Sequence, residues 1–107
     1  MNFDPSQLMK QVQQMQVEMA KAQESLAAER VEGTAGGGAV TASATGSGDL
    51  VSVKLSPDVV DPADVEMLED LIVAAVSDAL RAARALQESR LGGVAGGLTG
   101  GLGLPGM

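Results

Sequence analysis

The sequence predicts an α+β fold in the order α-β-β-β-α, with an antiparallel three-stranded meander between two long helices. Two long stretches without glycine or proline each follow an Asp-Pro pair and repeat apolar residues every three or four positions, which is typical of amphipathic helices. The segment between them is rich in glycine and β-branched residues, which is typical of short strands joined by turns. With 107 residues, the chain has room for one small domain.

The first helix is predicted from Asp4 to about Glu29. Asp4 is a residue type that caps helix N-termini, and Pro5 suits the first helical position because no backbone N–H donor is needed there. Apolar residues then recur at alternating spacings of four and three: Leu8, Val12, Met15, Met19, Ala22 and Leu26. This heptad pattern predicts that the helix pairs with another helix. At roughly 35 Å the helix is longer than a globule of this size needs, so we expect it to project.

Three short strands are predicted between the helices, with glycine-rich turns between them. They are Arg30–Thr34, Val40–Thr45 and Leu50–Leu55. Gly36–Gly38 invites comparison with a phosphate-binding loop, but such a loop ends in Lys and Ser or Thr before a helix, whereas a strand follows here. The glycines therefore predict a hairpin. In the last strand, Val51, Val53 and Leu55 alternate with polar residues and are expected on one face.

The second helix is predicted from Asp61-Pro62 to about Arg90. Its apolar stripe is broad and comprises Val65, Leu68, Leu71, Ile72, Ala75, Val76, Ala79, Leu80, Ala82 and Leu86. Acidic residues concentrate near its start and arginines near its end, which suits the helix dipole. In residues 92–107 half of the positions are glycine, a composition too flexible to order alone. The sequence thus predicts a single domain at residues 1–91 and a disordered glycine-rich tail at residues 92–107.

The composition excludes several classes of chemistry. The chain has no cysteine and no histidine, which excludes disulfides, thiol and imidazole catalysis and the usual zinc sites. Acidic residues cluster at the start of the second helix, yet the sequence offers no loop or second helix with matching metal ligands, so a solvated face is expected. We therefore expect no enzyme activity, no catalytic, cofactor or metal site and no small-molecule substrate.

The sequence predicts a cytoplasmic protein that does not enter the membrane. The first ten residues lack the basic and apolar regions of a signal peptide, and no run of about 18 apolar residues indicates a membrane span. A net charge of -7 and a pI of about 4.3 weigh against a broad nucleic-acid surface. Because Phe3 is the only aromatic residue, the composition favours an oligomer whose core is completed between subunits.

The few basic residues allow two interpretations. Antiparallel pairing of the two helices into an arm predicts that Arg84 and Arg90 lie near Lys10 at the tip, while the sheet joins the subunits. A small cationic tip on an acidic body would then bind phosphates without reading bases. Alternatively, the arginines only complement the C-terminal end of the second helix.

Three stretches of the chain carry a resemblance to a known family. Leu8–Gln16 is rich in methionine and glutamine, Val51–Pro57 ends a strand in Ser-Pro, and Met67–Ala79 leads the second helix. In this order they resemble the opening helix, the last strand and the most characteristic run of the YbaB/EbfC family of bacterial nucleoid-associated proteins. The resemblance covers roughly residues 6–90. It implies a tweezers-like homodimer in which the strands join the protomers and the helices project as arms.

The resemblance also implies a function: the arms bind duplex DNA, largely through phosphates, with roles in nucleoid organisation and gene regulation. The matching arm positions are Lys10, Gln13, Gln14, Arg81 and Arg84, and two further basic residues, Lys21 and Arg90, complete the predicted DNA-binding set. Two alternatives stay open. One is a dimeric protein-interaction module with incidental DNA contact, and the other is an RNA-binding role, which the lack of stacking aromatic residues disfavours.

Overall fold

The computed structural model describes residues 4–101, with side chains as far as residue 92. Its main elements are helix α1 (Pro5–Ala28), strands β1 (Arg30–Ala35), β2 (Val40–Thr45) and β3 (Leu50–Leu55), and helix α2 (Val65–Gly101). The strands form one antiparallel sheet in the order β1-β2-β3. The predicted α-β-β-β-α order and the meander between two long helices are therefore confirmed.

Helix α1 begins as its sequence predicts. Asp4 caps it from an extended conformation, and Pro5 occupies the first turn. The Asp4 carboxylate accepts hydrogen bonds from the Ser6 hydroxyl at 2.6 Å and from the Ser6 backbone N–H at 3.0 Å. These bonds stabilise the charged carboxylate, so the pKa of Asp4 lies below its ordinary value of 3.8, with the Ser6 hydroxyl the largest cause.

The glycines between β1 and β2 form a hairpin turn. Gly36, Gly37 and Gly38 have φ angles of 64°, 68° and 96°, in the left-handed region that side-chain-bearing residues rarely adopt. A strand follows directly at Val40, and no helix starts behind the turn. The turn thus has the structural role that the sequence predicts for it, and it lacks the strand-to-helix geometry of a phosphate-binding loop.

The core lies between α2 and one face of β1 and β2. It is built from fully buried small residues on both elements: Val40, Ala42, Ala44, Ala75 and Ala79. Residues at two-position spacing on β2 share one sheet face, and the alanines of α2 share one helix face, so the two surfaces meet along their length. Because the side chains at this contact are small, the helix backbone approaches the sheet closely.

Strand β3 differs from its prediction at Val51. Ser43 pairs with Ser52 but Ala44 pairs with Leu50, so a β-bulge leaves Val51 without a cross-strand partner. The bulge changes which residues share a face: Leu50, and not Val51, joins Val53 and Leu55 opposite the buried residues of β2. The predicted alternation is therefore correct for Val53 and Leu55 and wrong for Val51.

Helix α2 differs from its prediction at both ends. The helix begins at Val65, because Asp61 accepts a bond from Ala63 N–H in a preceding turn and the Asp64 carboxylate accepts from Met67 N–H instead. At the other end the helix continues to Gly101, past the end predicted near Arg90. Glycine keeps its backbone N–H, so the helical hydrogen bonds can continue at a cost of about 1 kcal/mol per glycine. The remainder of the predicted tail, residues 102–107, lies outside the described residues.

Helix α2 leaves β3 uncovered. It packs along β1 and β2 and touches β3 little. Leu50 and Leu55 are the cross-strand partners of the fully buried Ala44 and Val40, and such partners lie on the same face of a sheet. Yet Leu50 is 49% exposed and Leu55 is 39% exposed. The open flank (Leu50, Val53 and Leu55) is therefore an apolar part of the helix-bearing face in which Val53 packs against the core and the two leucines are left largely uncovered by the described chain.

Candidate nucleic-acid interface

Charge is unevenly distributed along the chain. Residues 29–80, which include the sheet and the first half of α2, carry ten acidic and two basic side chains, for a net charge of -8. Residues 5–28 are neutral, with two lysines and two glutamates, and residues 81–107 carry three arginines and one glutamate, for a net charge of +2. The overall charge of -7 thus belongs to residues 29–80, and the sequence on either side of them, residues 5–28 and 81–107, is neutral or positive.

Arg81 and Arg84 lie on the solvent face of α2. Both are exposed, while Ala79 and Ala83 on the same turns are fully buried. Arg81 is 3.6 Å from Asp78, and its side chain is 71% exposed, so the pair contributes little and leaves the guanidinium accessible. Arg84 makes no ion pair within the part of the chain that the structure describes. Both predicted arginines are available to a phosphate backbone.

Four of the predicted site residues lie on one side of α1, and all four are exposed: Lys10, Gln13, Gln14 and Lys21. The opposite side carries the α1 stripe, which we define as Leu8, Val12, Met15, Met19, Ala22 and Leu26. If the stripe occupies positions a and d of the heptads, the four polar residues fall at positions b, c and f, which point away from it. A polar ligand and an apolar partner can therefore occupy α1 at the same time.

Arg90 does not lie where the sequence predicts it. Its guanidinium donates to the Ser25 hydroxyl at 3.2 Å and pairs with the Glu29 carboxylate, both at the C-terminal end of α1. Lys10 is fifteen residues earlier in α1, which corresponds to about 22 Å along the helix axis. The predicted proximity of Arg90 to Lys10 is therefore wrong, because α2 contacts the C-terminal end of α1 at this point and not its N-terminal part.

The crossing of the two helices is held by polar contacts that the sequence analysis missed. Beside the Arg90 contacts, the Gln87 amide donates to the backbone oxygen of Gly46 at 2.9 Å, and Gly46 N–H donates to the Glu29 oxygen at 3.0 Å. Leu26, which is 2% exposed, packs below them. These contacts join the end of α1 to α2 and to the β2–β3 turn. No local pattern in the sequence points to these contacts.

The structure brings together some of the predicted residues and separates others. Arg81 and Arg84 are neighbours on α2, and Lys21 lies one turn from Ser25, which Arg90 contacts. Lys10, Gln13 and Gln14 lie farther out on α1. The candidate interface is therefore an extended set of polar and cationic side chains along α1 and α2.

Two other kinds of site are absent from the part of the chain that the structure describes. Over that part, no three Asp, Glu, His or Cys side chains cluster in a way that would hold a metal ion. None of its helices combines the length and the apolar character needed to cross a membrane.

Comparison with known proteins gives concordant matches. The model of the YbaB/EbfC DNA-binding family matches residues 1–98. A nucleoid-associated protein of Mycolicibacterium vanbaalenii is 54% identical over 104 residues, which cover 97% of this chain and 94% of that protein. One from Chloroflexus aurantiacus is 54% identical over 94 residues, covering 88% and 94%. The crystal structure of an uncharacterized Helicobacter pylori protein, 24% identical, matches with a TM-score of 0.72 over 82% of this chain and 92% of that one, and shows the same fold.

Proposed function

The chain belongs to the YbaB/EbfC DNA-binding family, and we propose that it binds the phosphate backbone of duplex DNA with its projecting helices. The contacts come from Lys10, Gln13, Gln14 and Lys21 on α1 and from Arg81 and Arg84 on α2. Arg90 was also predicted to contact DNA. Because Ser25 and Glu29 already bind its guanidinium, we assign it the role of positioning α1.

The distribution of charge is the observation that carries this proposal. A protein of net charge -7 repels a polyanion as a whole, and the repulsion is screened over a Debye length of about 10 Å at moderate salt. Here most of the acidic side chains belong to residues 29–80, whereas the exposed Lys10 lies on the projecting part of α1 and the exposed Arg84 follows the acidic stretch on the solvent face of α2. DNA held along the helices meets cations locally, and it stays away from most of the acidic groups.

The residues of the interface favour backbone contact over base reading. Lysine and arginine neutralise phosphates and release counterions, which gives affinity with little sequence preference. Glutamine side chains add hydrogen bonds to phosphate or base edges. The described chain offers no exposed aromatic side chain on which an unpaired base could stack, so we place duplex DNA ahead of single-stranded nucleic acid.

We further propose that two protomers associate through the open flank. Leu50, Val53 and Leu55 form an apolar surface on a strand whose outer edge is unpaired in the protomer. Burial of this surface by a second copy completes a core that α2 covers only over β1 and β2. The two pairs of helices then project from one central body as arms, which is the tweezers-like homodimer that the resemblance implies.

The biological role that follows is organisation of the bacterial nucleoid with effects on gene expression, in the cytoplasm where the nucleoid lies. Relatives at 52–54% identity over most of this chain are called nucleoid-associated proteins. A dimer with two cationic arms fits such a role, because it can hold one duplex at two points. Membership of a DNA-binding family agrees with a non-enzymatic function.

The proposal is tested by duplex binding measured by fluorescence anisotropy from about 50 to about 200 mM salt. The expected slope of log K against log salt is about -0.9 per neutralised phosphate. Arg84→Glu should weaken binding and reduce the slope by about 1 or more. Lys54→Glu, which makes the same change of charge on the sheet, serves as the matched control and should have a smaller effect. Equal effects of the two substitutions would contradict the local contact.

A second candidate function has one observation in its favour. The middle of the α1 stripe is exposed, with Met15 at 38% and Met19 at 37%, and exposed methionines suit adaptable protein contacts. A protein-interaction module with incidental DNA contact would show no saturable duplex binding even at about 50 mM salt. Competition by structured RNA in the same assay would instead indicate the RNA-binding alternative.

A further inference from the structure

Asp78 on α2 contacts both the sheet and one of the proposed DNA-binding residues. Its carboxylate oxygen Oδ2 accepts a hydrogen bond from the Thr34 backbone N–H at 3.1 Å. The other oxygen, Oδ1, lies 3.6 Å from Nη1 of Arg81, which is three residues later on the same helix. The carboxylate therefore lies between the edge strand β1 and the Arg81 guanidinium.

The bond to Thr34 fixes the position of this negative charge. Thr34 belongs to a strand that is paired with β2 along its length, so its N–H cannot move independently of the sheet. Next to it, Gly33 lies directly against the α2 backbone at Ala79, which keeps the strand and the helix at a constant separation. Hydrogen bonds from a backbone N–H to a charged carboxylate are among the stronger ones in proteins. Asp78 is therefore held at a fixed place beside Arg81.

The guanidinium of Arg81 is held much less firmly than the carboxylate. Its distance of 3.6 Å from Asp78 is longer than the roughly 2.7–2.9 Å of a charge-assisted hydrogen bond. The Arg81 side chain is 71% exposed, and an exposed ion pair of this kind is weak. A phosphate group can accept two parallel hydrogen bonds from an arginine. Arg81 can therefore leave Asp78 when a phosphate approaches.

The two arginines of the proposed interface are not equivalent in this respect. Arg84 is exposed and makes no ion pair within the described part of the chain. Asp78 precedes it by six positions, which corresponds to about 9 Å along the helix axis. Arg84 is therefore available to a phosphate directly, whereas Arg81 first has to give up a carboxylate.

We propose that Asp78 competes with DNA phosphates for Arg81 and thereby limits the affinity of the protein for duplex DNA. This inference rests on the proposed function, because it concerns the strength of the same contact. Each phosphate bound by Arg81 replaces the ion pair with Asp78, and the ion pair forms again when the phosphate leaves. Asp78 thus favours release of a protein that binds phosphates at any sequence.

The substitution Asp78→Asn tests the competition. It removes the negative charge, and the amide oxygen can still accept the bond from Thr34. In fluorescence anisotropy with duplex DNA at about 100 mM salt, we expect about two- to five-fold tighter binding. Asp70→Asn is the matched control, because it makes the same change of charge on α2 about 16 Å from Arg81 along the axis. This separation exceeds the Debye length of about 10 Å, so Asp70→Asn should change the affinity less.

The same substitution in an Arg81→Ala protein distinguishes competition from general repulsion of DNA. If Arg81 leaves Asp78 on binding, the gain from Asp78→Asn should be about 1.5- to 5-fold larger with Arg81 present than without it. Equal gains with and without Arg81 would overturn the proposal, because Asp78 would then only repel phosphates. Weaker binding by Asp78→Asn would also overturn it, because Asp78 would then orient Arg81 towards the DNA.

Hydrogen exchange of the Thr34 amide tests the fixed position of Asp78 without DNA. Asp78→Ala should accelerate this exchange several-fold, and Asp78→Asn should leave it close to that of the wild type. Unchanged exchange in Asp78→Ala would overturn the proposal. Duplex binding that does not respond to Asp78→Asn would overturn this inference alone. If neither the wild type nor Asp78→Asn binds duplex DNA, the proposed function fails and this inference fails with it.

Discussion

Gly33 of β1 lies against the backbone of α2 at Ala79. A β-carbon on Gly33 would stand 2.1 Å from the Ala79 nitrogen and 2.4 Å from the Ala75 oxygen, far inside van der Waals contact. Since these atoms belong to a helix backbone, no side-chain rotation can relieve the overlap. The lack of a side chain at Gly33 allows the backbone of α2 to approach the backbone of β1 this closely. The fold therefore requires glycine at this position.

We expect Gly33→Ala to destabilise the protein by about 3 kcal/mol, because either α2 or β1 must shift. Urea unfolding followed by circular dichroism measures the change. Gly92→Ala is the matched control, since a β-carbon there meets nothing within 4 Å, and a helical alanine should raise stability by about 1 kcal/mol. A Gly33→Ala protein as stable as the wild type would show that the helix does not approach the strand this closely.

Arg90 and Arg84 should behave differently although both are arginines of α2. Arg90→Ala removes the contacts to Ser25 and Glu29, and we expect a loss of about 1 kcal/mol, a modest value because both partners of the ion pair are more than a third exposed. Arg84→Ala should change stability by less than about 0.5 kcal/mol. In the salt titration of DNA binding the order reverses: Arg84→Ala should reduce the slope by about 0.9, and Arg90→Ala should leave it unchanged. A reduced slope for Arg90→Ala would return this residue to the DNA contacts.

Substitution of the open flank should dissociate the proposed homodimer. Leu50→Glu with Leu55→Glu introduces two carboxylates into the surface that we assign to the subunit contact, and burial of an unpaired charge is strongly unfavourable. Sedimentation velocity should show a dimer for the wild type and a monomer for the variant. Lys54→Glu, on the other face of the same strand, should remain dimeric. A wild-type monomer, or a dimer unaffected by the flank substitutions, would place the contact elsewhere.

The cap of α1 gives a prediction about pH. The pKa of Asp4 lies below 3.8, chiefly because of the Ser6 hydroxyl, so the cap contributes stability above the unfolded pKa. That contribution is lost as the pH falls through the lower pKa of the folded state. Carbon NMR of the Asp4 carboxyl should show a midpoint below 3.8, and Ser6→Ala should raise it. A midpoint that does not respond to Ser6→Ala would mean that the hydroxyl is not the main cause.

Much of the fold is readable from the sequence because its signals are local. Asp4-Pro5 marks the start of α1 without ambiguity, and the glycines at 36–38 mark the hairpin that the structure contains. Asp61-Pro62 is a less reliable signal, because Asp64 three residues later is an equally good cap and the helix begins after it. The bulge at Val51 has no local signal, since it depends on how Ser43 and Ala44 pair across the sheet.

The candidate site is less predictable because it depends on where two helices cross. The sequence identifies Arg81 and Arg84 as neighbours, since their spacing on one helix fixes that relation. It cannot determine how far along α2 the end of α1 makes contact. That position is set by Gly46 and Leu26 packing at the end of the sheet, contacts between residues twenty positions apart in the chain. The placement of Arg90 beside Glu29 follows from that packing and from nothing local.

Helix α1 is attached to the rest of the protein at its C-terminal end, so a small rotation there produces a larger displacement of its N-terminal end. The contacts of Ser25, Leu26 and Glu29 mark the centre of such a rotation, and Lys10 lies about 22 Å from it along the helix axis. A rotation of about 10° about this centre moves Lys10 by about 4 Å, which is close to the rise per base pair along the axis of a DNA duplex. If α1 contacts DNA as we propose, small adjustments around Arg90 would shift its far end by about the axial rise between neighbouring phosphates. Such shifts would let the helix follow a duplex whose groove width and curvature change along its length.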